Sequence, residues 1–323
     1  MNTQIKLAII AIAIVIPLAS LAITQPNLSS EISTTENSKL QVVTSANFLY
    51  EFSQNIGKEM IDVTLLIPMG ADPHDWEPTI RDTERLQEAD MIIVNGIGYE
   101  HWLNSLEVTD IAGILVDTSN GISTLDSAKY DEEKHDDHTK EDGHDDEDKH
   151  DEHNHGVLDP HIWLNPVFAQ LQVKNIANAL SNSDPTNKNY YQSNAAIYNQ
   201  ELDLLDSKIR TELSGCKTDF ITFHDAFSYF SEEYGLTQHT IISSIDSHGE
   251  VTPKTLENII SLARELNIKV IFAEESTSTK TSQVIADEIG GKVLVLSPLE
   301  IVSDESYVEK MIQNLDSLKD ALC

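Results

Sequence analysis

The sequence predicts an α/β protein of two lobes, each with a parallel β-sheet flanked by helices, joined by one long rigid helix. Two series of short apolar segments alternate with segments of helical periodicity, and one long amphipathic segment separates the two series. Strands that are buried on both faces and interleaved with helices are typical of parallel sheets with right-handed crossovers. Two lobes joined in this way leave a cleft between them, where we expect the ligand site.

The first series begins at residue 40 and predicts four strands and three helices. Its strand segments are continuous apolar runs, and its helical segments carry apolar residues every three or four positions. The predicted strands are 40–44, 63–67, 91–94 and 114–116, and the predicted helices are 48–56, 79–89 and 100–106.

The second series follows residue 215 and repeats the same alternation. One of its helices has a clear start signal, because Thr252 is a suitable N-cap and Pro253 suits the first helical position. The predicted strands are 220–223, 240–242, 270–272 and 293–296, and the predicted helices are 226–234, 253–266, 279–289 and 305–318.

The segment between the two series predicts the long connecting helix. Asp184 can cap it, Pro185 can open it, and Gly215 can end it. Apolar residues recur every three or four positions over about six turns, which indicates one buried stripe. The stripe consists of Tyr191, Ala195, Tyr198, Leu202, Leu205, Ile209 and Leu213.

Residues 1–23 predict either a cleaved signal peptide or an uncleaved N-terminal membrane anchor. Lys6 precedes thirteen uncharged residues, which is the pattern of an export signal, and the apolar stretch is nearly long enough to span a bilayer. Both alternatives place the protein outside the cytosol, either secreted or periplasmic, or anchored in the membrane. The predicted organisation beyond this segment is a flexible linker at 24–38, an N-terminal lobe at 39–182, a linking helix at 183–214 and a C-terminal lobe at 215–323.

The chain of 323 residues is strongly acidic, with 54 acidic and 21 basic side chains and a formal net charge of −33. This charge argues against nucleic acid and against anionic membrane surfaces as partners, because both would repel the protein. It suits a protein that attracts cations, although solubility alone also explains it.

Residues 131–155 combine 13 acidic residues with six of the twelve histidines of the chain. A segment this polar cannot bury enough surface to offset its ordering entropy, so we expect a disordered loop over 131–156. Neutral imidazole is a preferred ligand of zinc, and neighbouring carboxylates concentrate cations. We therefore expect weak, exchangeable metal binding; the alternative is an acidic insert that serves only solubility. The histidines are His135, His138, His144, His150, His153 and His155.

Cys216 and Cys323 are the two cysteines of the chain. Outside the cytosol they can form a disulfide, which would fasten the C-terminus to the second lobe. The alternative is two unpaired thiols.

Three histidines outside the acidic segment share a setting that is typical of ligand sites. His74 follows the second predicted strand, His224 follows the predicted strand 220–223, and His161 precedes a predicted helix. The carboxyl ends of parallel strands are where open α/β sheets bind their ligands. We therefore expect these three side chains to converge in the cleft.

Seven short motifs stand in a fixed order along the chain. They are 70–78 (GADPHDWEP), 89–90 with 95–103 (AD and NGIGYEHWL), 159–166 (DPHIWLNP), 223–227 (FHDAF), 250–254 (EVTPK), 272–275 (FAEE) and 296–300 (LSPLE). Together they resemble the motifs of the zinc/manganese solute-binding proteins of ABC importers, the ZnuA/TroA-like family. The resemblance implies two α/β lobes, a metal ion held in the cleft between them, and delivery of that ion to a membrane permease.

The resemblance places three of the metal ligands on His74, His161 and His224. Many family members have an aspartate at the position of Ser297, and serine is a poor metal ligand. In a zinc-specific subset of the family, a glutamate directly after a Pro-Leu pair coordinates the ion. Glu300, which follows Pro298 and Leu299, matches that glutamate. A water molecule in the fourth position is the alternative, and two strand-end carboxylates are further candidates, Glu274 and Glu275.

Three imidazoles and one carboxylate favour Zn²⁺ in a tetrahedral site, with Mn²⁺ as the second choice because manganese prefers more oxygen ligands. We expect no enzymatic activity and a monomer whose partners are the zinc ion and an ABC permease. Two alternatives remain from the sequence. One is a cell-surface zinc buffer or adhesin without a transporter; the other is a zinc hydrolase, which would need an open coordination position.

Overall fold

A computed structural model of the chain describes residues 39–68, 71, 73, 75–106, 111–125, 158–242, 251–275 and 279–323. The predicted export segment 1–23, the linker 24–38 and the histidine-rich loop 131–156 lie outside these residues. None of the helices formed by the described residues has the length and apolar character needed to cross a bilayer.

The first sheet has four parallel strands in the order β2-β1-β3-β4. Its centre is buried on both faces, because β3 is covered along its whole length, and β1 pairs with β2 on one side and β3 on the other. Two of the four predicted strands have the predicted bounds, and the other two are shifted or extended by one or two residues. The strands are β1 Leu40–Thr44, β2 Ile61–Leu65, β3 Met91–Val94 and β4 Ile114–Asp117.

The second sheet has the same topology, with four parallel strands in the order β6-β5-β7-β8. The prediction of a strand at 240–242 is wrong in position, since β6 ends at Thr240. The edge strand is built of polar residues, whereas Ile241 and Ile242 are buried in the bend that follows it. Burial, rather than strand pairing, accounts for that apolar run. The strands are β5 Asp219–Thr222, β6 Thr237–Thr240, β7 Val270–Ala273 and β8 Lys292–Val295.

Eight α-helices flank these sheets in the described part of the chain. The predicted helix at 100–106 is instead a short 3₁₀ turn, His101–Ser105, because so few residues form too few i→i−4 hydrogen bonds to offset helix nucleation. The helices are α1 Asn47–Gly57, α2 Ile80–Glu88, α3 Pro166–Ser183, α4 Lys188–Leu213, α5 Ser228–Tyr234, α6 Pro253–Glu265, α7 Lys280–Ile289 and α8 Tyr307–Leu322.

The long helix α4 connects the two sheets and confirms the predicted stripe. A 3₁₀ turn, Pro185–Asn187, precedes it, and its 26 residues give a length of about 39 Å. All seven residues of the predicted stripe are buried. They pack against α1 and α3 of the first lobe and against α5 and α8 of the second. One continuous apolar cluster therefore runs through both lobes.

Cys216 and Cys323 form a disulfide, with their Cα atoms 4.7 Å apart. The bond closes a segment of 107 residues and joins the end of α8 to the turn that follows α4. The backbone amide of Lys217 also donates a hydrogen bond to the carbonyl of Leu322, at 3.0 Å. The predicted pairing is confirmed, and it holds the C-terminal helix against the second lobe.

We predict that Leu202→Ala lowers the free energy of unfolding by roughly 2–5 kcal/mol, because it leaves a cavity in the shared core. Leu202 is fully buried, whereas Leu204 on the same helix is 70% exposed. Leu204→Ala is therefore the matched control and should change stability by less than about 0.5 kcal/mol. Urea unfolding of the metal-free proteins measures both values. Equal effects of the two substitutions would contradict the assigned faces of α4.

We predict that the double variant Cys216→Ser, Cys323→Ser is less stable by roughly 2–4 kcal/mol, because the unfolded chain is no longer cross-linked over this long segment. Guanidinium unfolding of the oxidised wild type, the reduced wild type and the variant is the measurement. The reduced wild type should resemble the variant. A variant that unfolds at the denaturant concentration of the oxidised wild type would show that the cross-link adds no stability.

Candidate metal centre

Three of the four predicted ligands come together at the carboxyl ends of the strands. His224 follows β5, Glu300 follows β8, and His161 precedes the 3₁₀ turn Ile162–Leu164 that leads into α3. Nε2 of His161 lies 3.4 Å from Oε1 of Glu300 and 3.4 Å from Nε2 of His224. Their ligand atoms all lie within 4.8 Å of one another.

The cluster is buried from solvent. Both imidazoles are fully buried, and Glu300 is 7% exposed. No second group of at least three histidine, cysteine or acidic side chains lies this close together in the part of the chain that the structure describes. The remaining predicted ligand, His74, lies outside the described residues, so its position stays a prediction.

A carboxylate orients each of the two buried imidazoles. Oδ1 of Asp159 lies 2.7 Å from Nδ1 of His161 and also accepts a hydrogen bond from the His161 backbone amide, at 2.9 Å. Oε1 of Glu274 lies 2.6 Å from Nδ1 of His224 and accepts from the His224 amide at 3.1 Å. A carboxylate on Nδ1 fixes the tautomer that leaves Nε2 as a lone-pair donor. Both Nε2 atoms face the centre of the cluster.

Sequence reasoning missed the role of these two carboxylates. Glu274 is one of the candidate ligands from the sequence, but it contacts the cluster through His224, while Glu275 contacts Lys310 and Ser297 instead.

Asp159 stands out in the sequence only as part of a motif. Its position two residues before His161 was the available signal, because an aspartate there can bond both the backbone amide and the ring of the histidine.

The electrostatics of the cluster favour a positive charge at its centre. Burial opposes protonation of His161, but the hydrogen bonds and negative charges of Asp159 and Glu300 outweigh it and raise the pKa of this histidine to about 10. Glu274 adds a third carboxylate at the other imidazole. A divalent cation would supply the positive charge that this arrangement attracts.

Aromatic side chains hold the ligand segments of the two lobes together. The indole Nε1 of Trp163 donates a hydrogen bond to the carbonyl of Pro298 at 2.8 Å, which joins the segment of His161 to that of Glu300. The hydroxyl of Tyr307 donates to the Trp163 carbonyl at 2.7 Å. These bonds are made by protein groups alone, so the two ligand segments are joined independently of any ion.

Glu100 stabilises the loop that carries His161 through a chain of hydrogen bonds. Its carboxylate accepts hydrogen bonds from the Ser45 hydroxyl at 2.6 Å and from the backbone amides of Asn95 and Gly96 at 2.7 and 3.1 Å. The Asn95 side chain in turn donates to the carbonyl of Pro160 at 2.9 Å. Burial raises the pKa of Glu100 to about 7, against the hydrogen bonds that lower it.

Comparison with known proteins identifies the family. The family model described as zinc-uptake complex component A, periplasmic (ZnuA), matches residues 42–321. The chain belongs to the ZnuA family. This match confirms the resemblance in the motifs, and the strand order of both sheets agrees with the predicted α/β class.

Several known proteins are similar to this one over most of the chain. The high-affinity zinc uptake system protein ZnuA of Bacillus subtilis is 42% identical over 293 residues, which is 88% of both chains. The crystal structure of the metal-dependent lipoprotein YcdH of the same organism has 37% identity and a TM-score of 0.72, covering 88% of this chain and 99% of that one. The laminin-binding protein Lmb of Streptococcus agalactiae, described as a bifunctional protein with adhesin and metal transporting activity, has 27% identity and a TM-score of 0.74, covering 88% of this chain and 99% of that one.

We predict that the contribution of Glu100 to the stability of the metal-free protein is lost as the pH rises from about 4.5 to about 7. The pKa of Glu100 is near 7 in the fold and near 4.5 in the unfolded chain, so the folded state keeps this proton to a higher pH. The full effect is on the order of 3 kcal/mol. Glu100→Gln cannot ionise and should flatten this part of the profile, whereas Glu88→Gln, at an exposed position, should leave it unchanged. Identical profiles for Glu100→Gln and wild type, measured by urea unfolding, would contradict the assignment.

Proposed function

We propose that the protein captures Zn²⁺ with His161, His224 and Glu300, together with His74, and delivers it to the permease of an ABC importer. The zinc ion is the cargo in this proposal. Membership of the ZnuA family and the names of its relatives as zinc uptake proteins support it.

The spacing of the buried ligand atoms is the observation that carries the proposal. In a tetrahedral zinc site with bonds near 2.0–2.1 Å, neighbouring ligand atoms are about 3.3 Å apart. Nε2 of His161 lies 3.4 Å from Oε1 of Glu300 and 3.4 Å from Nε2 of His224. Two of the three separations thus match the edge of a tetrahedron, and all three ligand atoms lie within 4.8 Å of one another. His74 is the ligand that we assign to the remaining vertex.

The donor set favours zinc over manganese. Two nitrogen atoms and one carboxylate oxygen are in place, and His74 would add a third nitrogen. Manganese sites use more oxygen ligands and a higher coordination number, whereas imidazole suits zinc. The carboxylates on the outer ring nitrogens strengthen both imidazoles as ligands.

We further propose that the protein is not an enzyme. A zinc hydrolase keeps one coordination position for water. If His74 and Glu300 both bind, the four protein ligands complete the tetrahedron and leave no such position. Family membership in a solute-binding transport family points in the same direction.

We place the protein outside the cytosol and expect it to act as a monomer. The family description as periplasmic and the disulfide support an extracytoplasmic location. Residues 1–23 would direct export, either as a cleaved signal or as an anchor, and the histidine-rich residues 131–156 would bind zinc weakly. Adhesion is a second candidate, because Lmb combines it with metal transport.

We predict that His161→Ala, His224→Ala lowers zinc affinity more than 100-fold, since removing even an outer-shell partner typically costs 10–100-fold. Competition with a chromophoric zinc chelator measures the affinity. His101→Ala, at an exposed histidine, is the matched control and should bind as tightly as wild type. Weak binding by the histidine-rich loop should persist in all three proteins.

The same variants separate import from adhesion. Cells that depend on this protein should fail to grow in zinc-depleted medium with the double variant and should grow with His101→Ala. Tight zinc binding by the double variant would overturn the assigned site. Normal growth with a variant that has lost tight binding would overturn the transport role.

A further inference from the structure

The segment that carries Glu300 needs support from outside its own backbone. Residues 296–300 follow β8 and form no regular secondary structure. Leu299, directly before the proposed ligand, has φ +61°, a left-handed conformation that is unfavourable for a branched, non-glycine side chain. Such a conformation persists only where surrounding contacts determine it.

Ser297 supplies these contacts with both its backbone and its side chain. Its amide donates to Oδ1 of Asn314, and its carbonyl accepts from Nδ2 of the same residue, both at 2.7 Å. Its hydroxyl donates to Oε2 of Glu275 at 2.9 Å, and its Oγ accepts from the amide of Leu299 at 3.2 Å. The hydroxyl therefore contacts the very residue whose backbone is left-handed.

A buried lysine fixes the carboxylate that holds Ser297. Nζ of Lys310 lies 2.7 Å and 2.9 Å from the two oxygens of Glu275, and the lysine side chain is 7% exposed. Lys310 and Asn314 are one turn apart on α8, so one face of this helix bonds Ser297 directly through Asn314 and indirectly through Glu275. The Glu275 side chain is 31% exposed, and an ion pair with a partner this exposed adds little net stability. Its contribution here is better explained by the geometry that it fixes.

The two adjacent glutamates that follow β7 thus have different roles. Glu274 orients His224, and Glu275 anchors the segment of Glu300 through Ser297. We propose that Ser297, Glu275 and Lys310 are positioning residues that set the placement of the Glu300 carboxylate, and with it the affinity and coordination geometry of the zinc site. This inference rests on the proposed function and deepens it.

The test compares Ser297→Ala with Ser303→Ala, Glu300→Gln and wild type. Ser303 is a matched control, because its hydroxyl bonds only the local backbone of Glu305 in the same connecting segment. Three measurements are made on each protein: zinc affinity by chelator competition, the visible d–d spectrum of bound Co²⁺, and thermal unfolding without metal. The Co²⁺ spectrum reports coordination geometry, which a general loss of stability would leave unchanged.

We expect Ser297→Ala to bind zinc 10- to 100-fold more weakly, with a Co²⁺ spectrum shifted toward that of Glu300→Gln and metal-free unfolding close to wild type. The double variant Glu275→Gln, Lys310→Met removes both charges of the ion pair together, so the buried lysine is not left unpaired. It should give the same shift, and it provides a second test if Ser297→Ala does not fold. Ser303→Ala should match wild type in all three measurements.

Each contrary result has a distinct meaning. If Glu300→Gln itself binds zinc and Co²⁺ as wild type does, the proposed four-ligand site fails. If Glu300→Gln is weakened while Ser297→Ala and the double variant keep wild-type affinity and spectrum, only the positioning role is overturned. A loss of affinity with lowered thermal stability and a wild-type Co²⁺ spectrum also overturns it, because the three residues would then act on the fold rather than on coordination geometry.

Discussion

The placement of three carboxylates around two buried imidazoles is the constraint on which the rest of the structure depends. Asp159, Glu274 and Glu300 place three carboxyl groups in a region from which water is largely excluded. Burying like charges is unfavourable unless a positive charge lies between them. Asp159 and Glu300 raise the pKa of His161, and a divalent cation would supply the positive charge more fully. The fold must therefore hold these groups close together without the ion.

The shared apolar core explains how the two lobes hold that arrangement. The stripe of α4 packs against helices of both lobes, so the connection between the sheets is part of the core rather than a flexible tether. Trp163 and Tyr307 add buried hydrogen bonds between the ligand segments. Glu51 on α1 extends the connection, because it accepts from the Tyr307 backbone amide at 2.7 Å. These contacts hold the segments of His161 and Glu300 together, which reduces the ordering cost of binding an ion there.

The sequence predicted the architecture better than it predicted the contacts around the site. Apolar runs located β1 and β3 at their observed bounds and identified every buried residue of the α4 stripe, because burial follows local periodicity. It failed at β6, where Ile241 and Ile242 are buried without belonging to a strand. Likewise, nothing in the local pattern distinguishes Glu274 from Glu275. Their different partners depend on which strand end and which helix face lie opposite, and only the tertiary fold determines that.

In the proposed zinc site, Ser297 would contribute without binding the metal itself. A serine at this position leaves the cluster without a carboxylate close to the backbone, and the longer side chain of Glu300 supplies it instead. A longer side chain has more rotamer freedom to lose when it binds an ion. Hydrogen bonds and the ion pair of Ser297, Glu275 and Lys310 fix the backbone that carries Glu300. The carboxylate therefore has less conformational freedom to lose. The serine hydroxyl and the glutamate carboxylate therefore divide between them two tasks, positioning and coordination, that a single shorter acidic residue could otherwise combine.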